Sequence, residues 1–327
     1  MEVHAVTTLT VKDRAGRLRE EPPRGGRPRG RWKEILTGWA FVLPAVALFL
    51  VMGLYTIGSG FALSFAKWNG FTPEWIWVGI QNYKDLLYAD PSLAPEMRRA
   101  GWNTLQVMIA VPAFTVVIAL PLAVTLNSIR RLRSLLRSVY FLPYVTSGIA
   151  VYYAWRYVLE PDGSVNLLLR ALGLGSLSQP QGFLGNPSTA LPTLILILVW
   201  SSVPIATLLY LSGLQAIDPN MIEAAQIDGA APRHVLRRII WPLLRPITVA
   251  IVLLGVRDAL HGFQIFLIMT GGGPGGHTDA LGLMTYRLSF FKGLAPTLGV
   301  ASALGWLLFA AALLLTLVNA RMLRRIR

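Results

Sequence analysis

The sequence predicts an all-α membrane protein with six transmembrane helices. Three features carry that reading: a composition poor in charge, six long apolar runs, and arginines that crowd into every second connection between those runs. Of 327 residues, 54% are hydrophobic and 14% charged, and the mean hydropathy is +0.53. Soluble domains carry about 25% charged residues. The same composition excludes several chemistries. There is no cysteine, hence no disulfide framework and no thiolate ligand or nucleophile. Histidines 4, 234, 261 and 277 form no HExxH pair, and no GxxxxGK[ST] phosphate loop is present. No cofactor bound by this chain is therefore expected. The net charge of +14 lies beside the apolar runs, so anionic lipid headgroups, not nucleic acid, are the expected counter-ions.

Residues 1–37 form a basic arm with eight cations between Arg14 and Lys33. Its EPPRGGRPRGR stretch cannot bury a core and is read as disordered. The arm is too long and too basic for a typical signal peptide. The membrane domain then occupies 38–320, with spans over Gly38–Leu63, Asn103–Leu126, Leu135–Val158, Ala190–Leu214, Leu243–Met269 and Leu298–Ala320. Each is long enough for a hydrocarbon core of about 30 Å. Pro44, Pro112, Pro121, Pro143 and Pro204 fall inside these runs, where neighbouring helices can re-satisfy the freed carbonyls. A short basic tail, 321–327, ends the chain. The arm, the second-to-third connection (Arg130, Arg131, Arg133, Arg137), the fourth-to-fifth connection (Arg233, Arg237, Arg238) and the tail alternate to one side. By the positive-inside rule both termini and the 218–246 connection are cytoplasmic. Trp68, Trp75 and Trp77, beyond the first span, suit either an interfacial aromatic belt or contact with an external partner.

The connection DPNMIEAAQIDGAAPRHVLRRIIWPLLRP, 218–246, is the most informative stretch. Asp218 is placed to cap a helix that starts with Pro219, whose missing N–H costs nothing at a first helical position. Gly229 is placed to end that helix in a left-handed conformation, and Pro232 to start a second one over Arg233 to Ile240. Isolated helices of about ten residues are marginal in water. A short helix carrying Met221, Ile222 and Ile227 beside small alanines therefore reads as one that docks into a partner's groove. An ordinary helical connection between spans is the plainer reading.

Glu223, Ala224, Ala225, Asp228, Gly229, Ala230, Ile239, Pro242 and Pro246 resemble the EAA loop of permease subunits in bacterial ATP-binding-cassette importers. The departure is Leu236, where that family often has an aromatic residue. Further stretches resemble its carbohydrate-uptake branch: Trp155-Arg156-Tyr157 with Glu160-Pro161-Asp162-Gly163, Thr270-Gly271-Gly272-Gly273-Pro274, and Val78-Gly79 with Asn82-Tyr83. From Gly38 onward the chain is similar to the first-permease type of maltose and glycerol-3-phosphate systems. The resemblance implies six core helices, an EAA coupling helix gripped by an ATPase, and a heterodimer with a second, non-identical permease. It also implies two ATPase subunits that use ATP and magnesium, a solute-binding protein outside, and a place in the bacterial inner membrane. The chain itself then catalyses no covalent reaction.

A sugar path needs hydroxyls, amides and aromatic faces around a cavity. Tyr144, Thr146 and Ser147 in span three and Trp200, Ser201 and Ser202 in span four have that character. The resemblance places Tyr144, Ser202, Gly255, Ala259 and Gly262 at solute-facing positions, and Ser147 and Gly148 are candidate path residues beside Tyr144. The small residues in span five imply a roomier cavity than in maltose permeases. For each serine or threonine the alternative is a bond to the preceding turn's carbonyl. Arg257, Asp258, His261 and Gln264 add charge and polarity to span five. Arg257, His261 and Gln264 share one helical face by spacing, and charged groups in membranes face a cavity or a bundle interior. Both a wall of the path and a structural pair at a subunit interface fit. Two rival functions stay open. An ion-gradient-driven transporter of a small polar solute calls for intramembrane acids or paired broken helices, and beyond Asp258 the spans hold essentially none. A membrane glycosyl transferase calls for a separate acidic cluster at the membrane face.

Overall fold

In a computed structural model of the chain, residues 10–12, 18–20, 31–71, 73–129, 144, 146–291 and 297–326 are described. They fall into two compact units, Met1–Ser59 and Gly60–Arg327. In the first unit, β1 (Thr10–Lys12) pairs antiparallel with β2 (Leu18–Glu20). Helix α1 (Arg31–Leu48) follows, with a π-helical stretch at Phe49–Leu54 leading into α2 (Tyr55–Leu63). Part of the arm expected to be disordered is thus paired. Helix α1 also begins seven residues before Gly38, because Arg31-Trp32-Lys33-Glu34-Ile35-Leu36 is rich in good helix formers.

The second unit opens with a hairpin, β3 (Ala66–Lys67) against β4 (Ile76–Trp77), then α3 (Gln81–Lys84) and the long α4 (Leu93–Ser128). Next come α5 (Gly148–Val158), α6 (Ser164–Ala171) and α7 (Pro187–Gln215). The connection after α7 carries α8 (Pro219–Ile227), α9 (Pro232–Val235) and α10 (Trp241–Leu243). Helices α11 (Arg245–His261), α12 (Gln264–Met269), α13 (Leu281–Phe290) and α14 (Leu298–Ile326) complete the unit.

The core of this unit is the seam between α4 and α7. On α4 the buried residues Val107, Val111, Thr115, Ala119 and Ala123 recur every four positions, the spacing of one helical face. Ala119 and Ala123 share one buried cluster with Leu194, Ile197 and Tyr210 of α7, and small residues of this kind let helices approach closely in lipid. Helix α11 lies against both, and the Tyr210 hydroxyl donates to Thr248 Oγ1 at 2.9 Å. Gly255 is where α11 meets α4: a Cβ there would sit 2.8 Å from Pro112 Cγ. Its missing side chain serves helix packing, in addition to its place in the cavity wall.

Among the described residues four stretches are long and apolar enough to cross a membrane: Ile35–Leu63, Leu93–Ser128, Pro187–Gln215 and Leu298–Leu317. A fifth results if Pro232–Leu243 and Arg245–His261, bent by 67°, form one span. Pro246, which lacks an N–H, lies at that bend. Most of the predicted third span lies outside the described residues, and its C-terminal part is α5. The predicted fifth span, Leu243–Met269, is two helices, because the chain turns extended at Gly262. Phe263 then stacks on Tyr286 of α13, with centroids 4.7 Å apart.

Candidate functional site

The break between α11 and α12 opens a cleft of about 370 Å³, bounded by α4, α5 and α7. Ser202, Gly255, Asp258, Ala259, His261 and Gly262 all line it, so six of the sequence-predicted positions converge. Arg257, Gln264, Ser201 and Tyr152 join them. Gln264 reaches the cleft by a different route from the one its spacing implied. It starts α12 after the break and does not continue the Arg257–His261 face. Tyr144 is exposed and Ser147 precedes the first turn of α5. Neither they nor Gly148 line this cleft. Tyr152 is the lining residue that sequence reasoning missed. Its aromatic hydroxyl character, shared with nearby Tyr144 in the sequence, was the available signal.

The polar groups of the cleft are partly committed. Ser201 Oγ donates to the Ile197 carbonyl and Ser202 Oγ to the Leu198 carbonyl, each at 2.8 Å. That is the back-bonding alternative, and it leaves both oxygens free to accept from a solute. His261 Nδ1 lies 3.1 Å from the Arg257 carbonyl, which fixes the ring against its own helix. Among the described residues no carboxylate stands within ion-pair distance of Arg257. The guanidinium thus reaches the cleft region as an available cation with five donors.

On the far side of α7, Asp218 Oδ1 accepts from the Asn220 N–H at 3.0 Å, and Pro219 begins α8. Gly229 adopts φ +79°, a conformation costly for any residue with a Cβ. Ala230 N then donates to the Ala225 carbonyl at 3.0 Å. The resulting segment has two faces. Ile222, Ala225, Ala230, Leu236 and Ile239 pack against the core, so Leu236 is held without an aromatic ring. Met221 and Ile227 are exposed, Ile227 at 86%, and Glu223, Ala224, Asp228 and Gly229 stand on the same open surface. Pro242 is partly covered and follows Trp241 into α10.

At the opposite end of these helices, the Thr270–Pro274 loop is fastened by a polar network. Arg99 Nη1 donates to the Gly275 carbonyl at 2.7 Å, Asn103 Nδ2 to the Asp279 carbonyl at 2.9 Å, and Arg287 Nη1 to Asp279 Oδ1 at 2.7 Å. Burial pushes the Asp279 carboxyl above the usual aspartate value, against the opposing pull of Arg287. The tryptophans of the β3–β4 hairpin form a cluster, with ring centroids 5.8 Å apart for Trp68–Trp75 and 6.4 Å for Trp75–Trp77.

Comparison with known proteins gives a consistent result. Residues 105–327 match the family model described as binding-protein-dependent transport system inner membrane component. The chain is 30% identical over 293 residues to the trehalose/maltose transport system permease protein MalF of Thermococcus litoralis, covering 88% of this chain and 94% of that protein. It is 31% identical over 274 residues to the multiple sugar-binding transport system permease protein MsmF of Streptococcus mutans, covering 83% and 90%. It is 29% identical over 330 residues to the diacetylchitobiose uptake system permease protein NgcF of Streptomyces coelicolor, covering 95% and 91%. Among solved structures, a bacterial ABC transporter involved in the import of the acidic polysaccharide alginate superposes with a TM-score of 0.72 at 25% identity, covering 90% of this chain and 98% of that one. The alginate ABC transporter in complex with an alginate pentasaccharide-bound periplasmic protein shares the fold, with a TM-score of 0.75 at 24% identity and coverage of 91% and 98%. The chain belongs to the binding-protein-dependent transport system inner membrane components, and is a permease subunit of an ATP-binding-cassette importer, not an enzyme.

Proposed function

We propose that this permease frames half of the import path for a sugar or related polar solute, with a second, non-identical permease supplying the other half. The carrying observation is the cleft at the α11–α12 break, where hydroxyls, an amide, an imidazole, a carboxylate and a guanidinium converge inside an apolar bundle. Polyhydroxyl solutes need such a wall. The names of the relatives, which specify trehalose, maltose and diacetylchitobiose, support the same class. The arrangement is one of six spans with both termini cytoplasmic, in the cytoplasmic membrane.

In this reading the 218–246 segment is the coupling helix. Two ATPase subunits bind its open face, consume ATP with magnesium, and move α11 through the bend at Leu244–Pro246. A solute-binding protein delivers the solute from outside. The ion-gradient alternative has little to work with, because Asp258 is the acid the cleft offers. The test is a reconstituted complex of both permeases, two ATPases and the solute-binding protein in sealed vesicles. Vanadate-sensitive ATPase activity and sugar uptake that persists in an ion uncoupler are expected. Uptake abolished by the uncoupler with ATP intact refutes the proposal.

A further inference from the structure

Behind the cleft lies a niche of about 50 Å³ that shares Val111, Ser202, Gly255 and Asp258 with it. Its additional polar wall is Thr115 of α4. This residue is 3% exposed, and Thr115 Oγ1 is a buried oxygen with no hydrogen-bond partner. That is unusual for its setting. Thr125, Thr207 and Thr248 each donate to the carbonyl four residues back, at 2.9, 2.8 and 3.1 Å. An unsatisfied hydroxyl in such a place is costly, and native structures keep few of them without a reason.

We propose that Thr115 is a specificity-determining residue whose hydroxyl donates to a hydroxyl or hydroxymethyl group of the solute, seated in this niche beside Ser202 and Asp258. The donor balance selects that chemistry. Ser202 has spent its proton on the Leu198 carbonyl, so its oxygen accepts. The Asp258 carboxylate accepts as well. Thr115 alone among the three holds an unused proton. A guest must therefore accept from one side and donate to the other, as an alcohol or water does and a metal cation does not. The volume admits a group of a few heavy atoms, since one water occupies about 30 Å³ of liquid. A whole sugar ring remains in the larger cleft. This inference rests on the proposed import of sugars.

The test uses the complete reconstituted importer with labelled maltose and trehalose as probes. Thr115→Val, which keeps the shape and removes the hydroxyl, should raise KM about tenfold, the worth of one lost hydrogen bond. Thr115→Ser, which keeps the hydroxyl, should stay within about twofold of wild type. A Ser variant more defective than the Val variant would mean that the methyl's packing matters and not the hydroxyl, and would overturn the proposal. An unchanged Val variant would assign the niche to structural water and overturn it too. If wild type imports neither sugar, the solute class proposed above is what fails. The niche is then judged by Thr115→Cys, a clean probe because the chain has no other cysteine. Modification by a small methanethiosulfonate at some stage of the ATP cycle supports an open niche, and none at any stage overturns it.

Discussion

Single side chains hold the connecting loops in place, and two of them make sharp predictions. Asn166 is fully buried. Its Nδ2 donates to the carbonyls of Pro161 and Gln179, and its Oδ1 accepts from the Gln179 N–H, all at 2.9 Å. The Asn166→Ala variant strands three backbone groups, each worth roughly 1–3 kcal/mol when buried and unpaired. The 160–186 loop should then be cut by trypsin at Arg170 much faster than in wild type, with membrane insertion unchanged. Asp279 behaves differently. Its folded-state carboxyl is raised above the unfolded value because burial outweighs Arg287. The stabilising difference is therefore complete below the ordinary aspartate value and is lost as pH rises through the raised one. At neutral pH the ionised group costs stability despite its 2.7 Å partner, as buried pairs often do. Asp279→Asn, which keeps an acceptor for Arg287, should melt at or slightly above the wild-type temperature at pH 7. The gap should close toward pH 4. A clear loss of stability at pH 7 in this variant would show that the ion pair outweighs burial.

Short elements explain what was and was not legible in the sequence. Helix α8 could be read because its signals are local: Asp218, Pro219 and Gly229 act within a few residues of themselves, by capping, a fixed φ and a left-handed turn. Which face of α8 stays open could not be read, because Ile222 and Ile227 are equally apolar and only packing separates them. That separation yields a prediction. Ile227→Asp should abolish co-purification with the ATPase subunits, while Ile222→Asp should lower the yield of folded permease, since Ile222 packs on the core. If Ile227→Asp keeps the ATPase bound, the open face is not the docking face. The break at Gly262 was illegible for the same reason. Beyond Arg245, Leu243–Met269 is a continuous apolar run with one embedded charged patch, and the ring on which Phe263 stacks at the break, Tyr286, is distant in sequence. The cleft residues of α7 and α11 were found through resemblance and spacing, whereas Tyr152 was missed because its place depends on how α5 packs.

At the scale of the whole molecule, the proposed function places energy input and solute handling along one rod. Helix α11 starts at the 67° bend next to the 218–246 segment and ends at Arg257, Asp258 and His261 in the cleft. If the proposed coupling holds, a displacement of the bend reaches the cleft wall without passing through a flexible loop, and α4 moves with it because Gly255 and Pro112 approach closely. Two substitutions, one in the 218–246 segment before this rod and one near its far end, should separate energy input from solute handling. Gly229→Asp places a charged Cβ-bearing residue at φ +79°, which costs roughly 1–2 kcal/mol in backbone strain and puts a carboxylate on the open face. It should release the ATPases and leave the permease inserted. Arg257→Ala removes a cation that no carboxylate among the described residues neutralises, so assembly has little to lose from it. Vanadate-sensitive ATPase activity in the complex should persist, while the KM for uptake shifts by about tenfold, the scale of one charge-assisted hydrogen bond. If Arg257→Ala instead splits the two permeases and leaves solute preference untouched, the guanidinium belongs to the interface between them and not to the path.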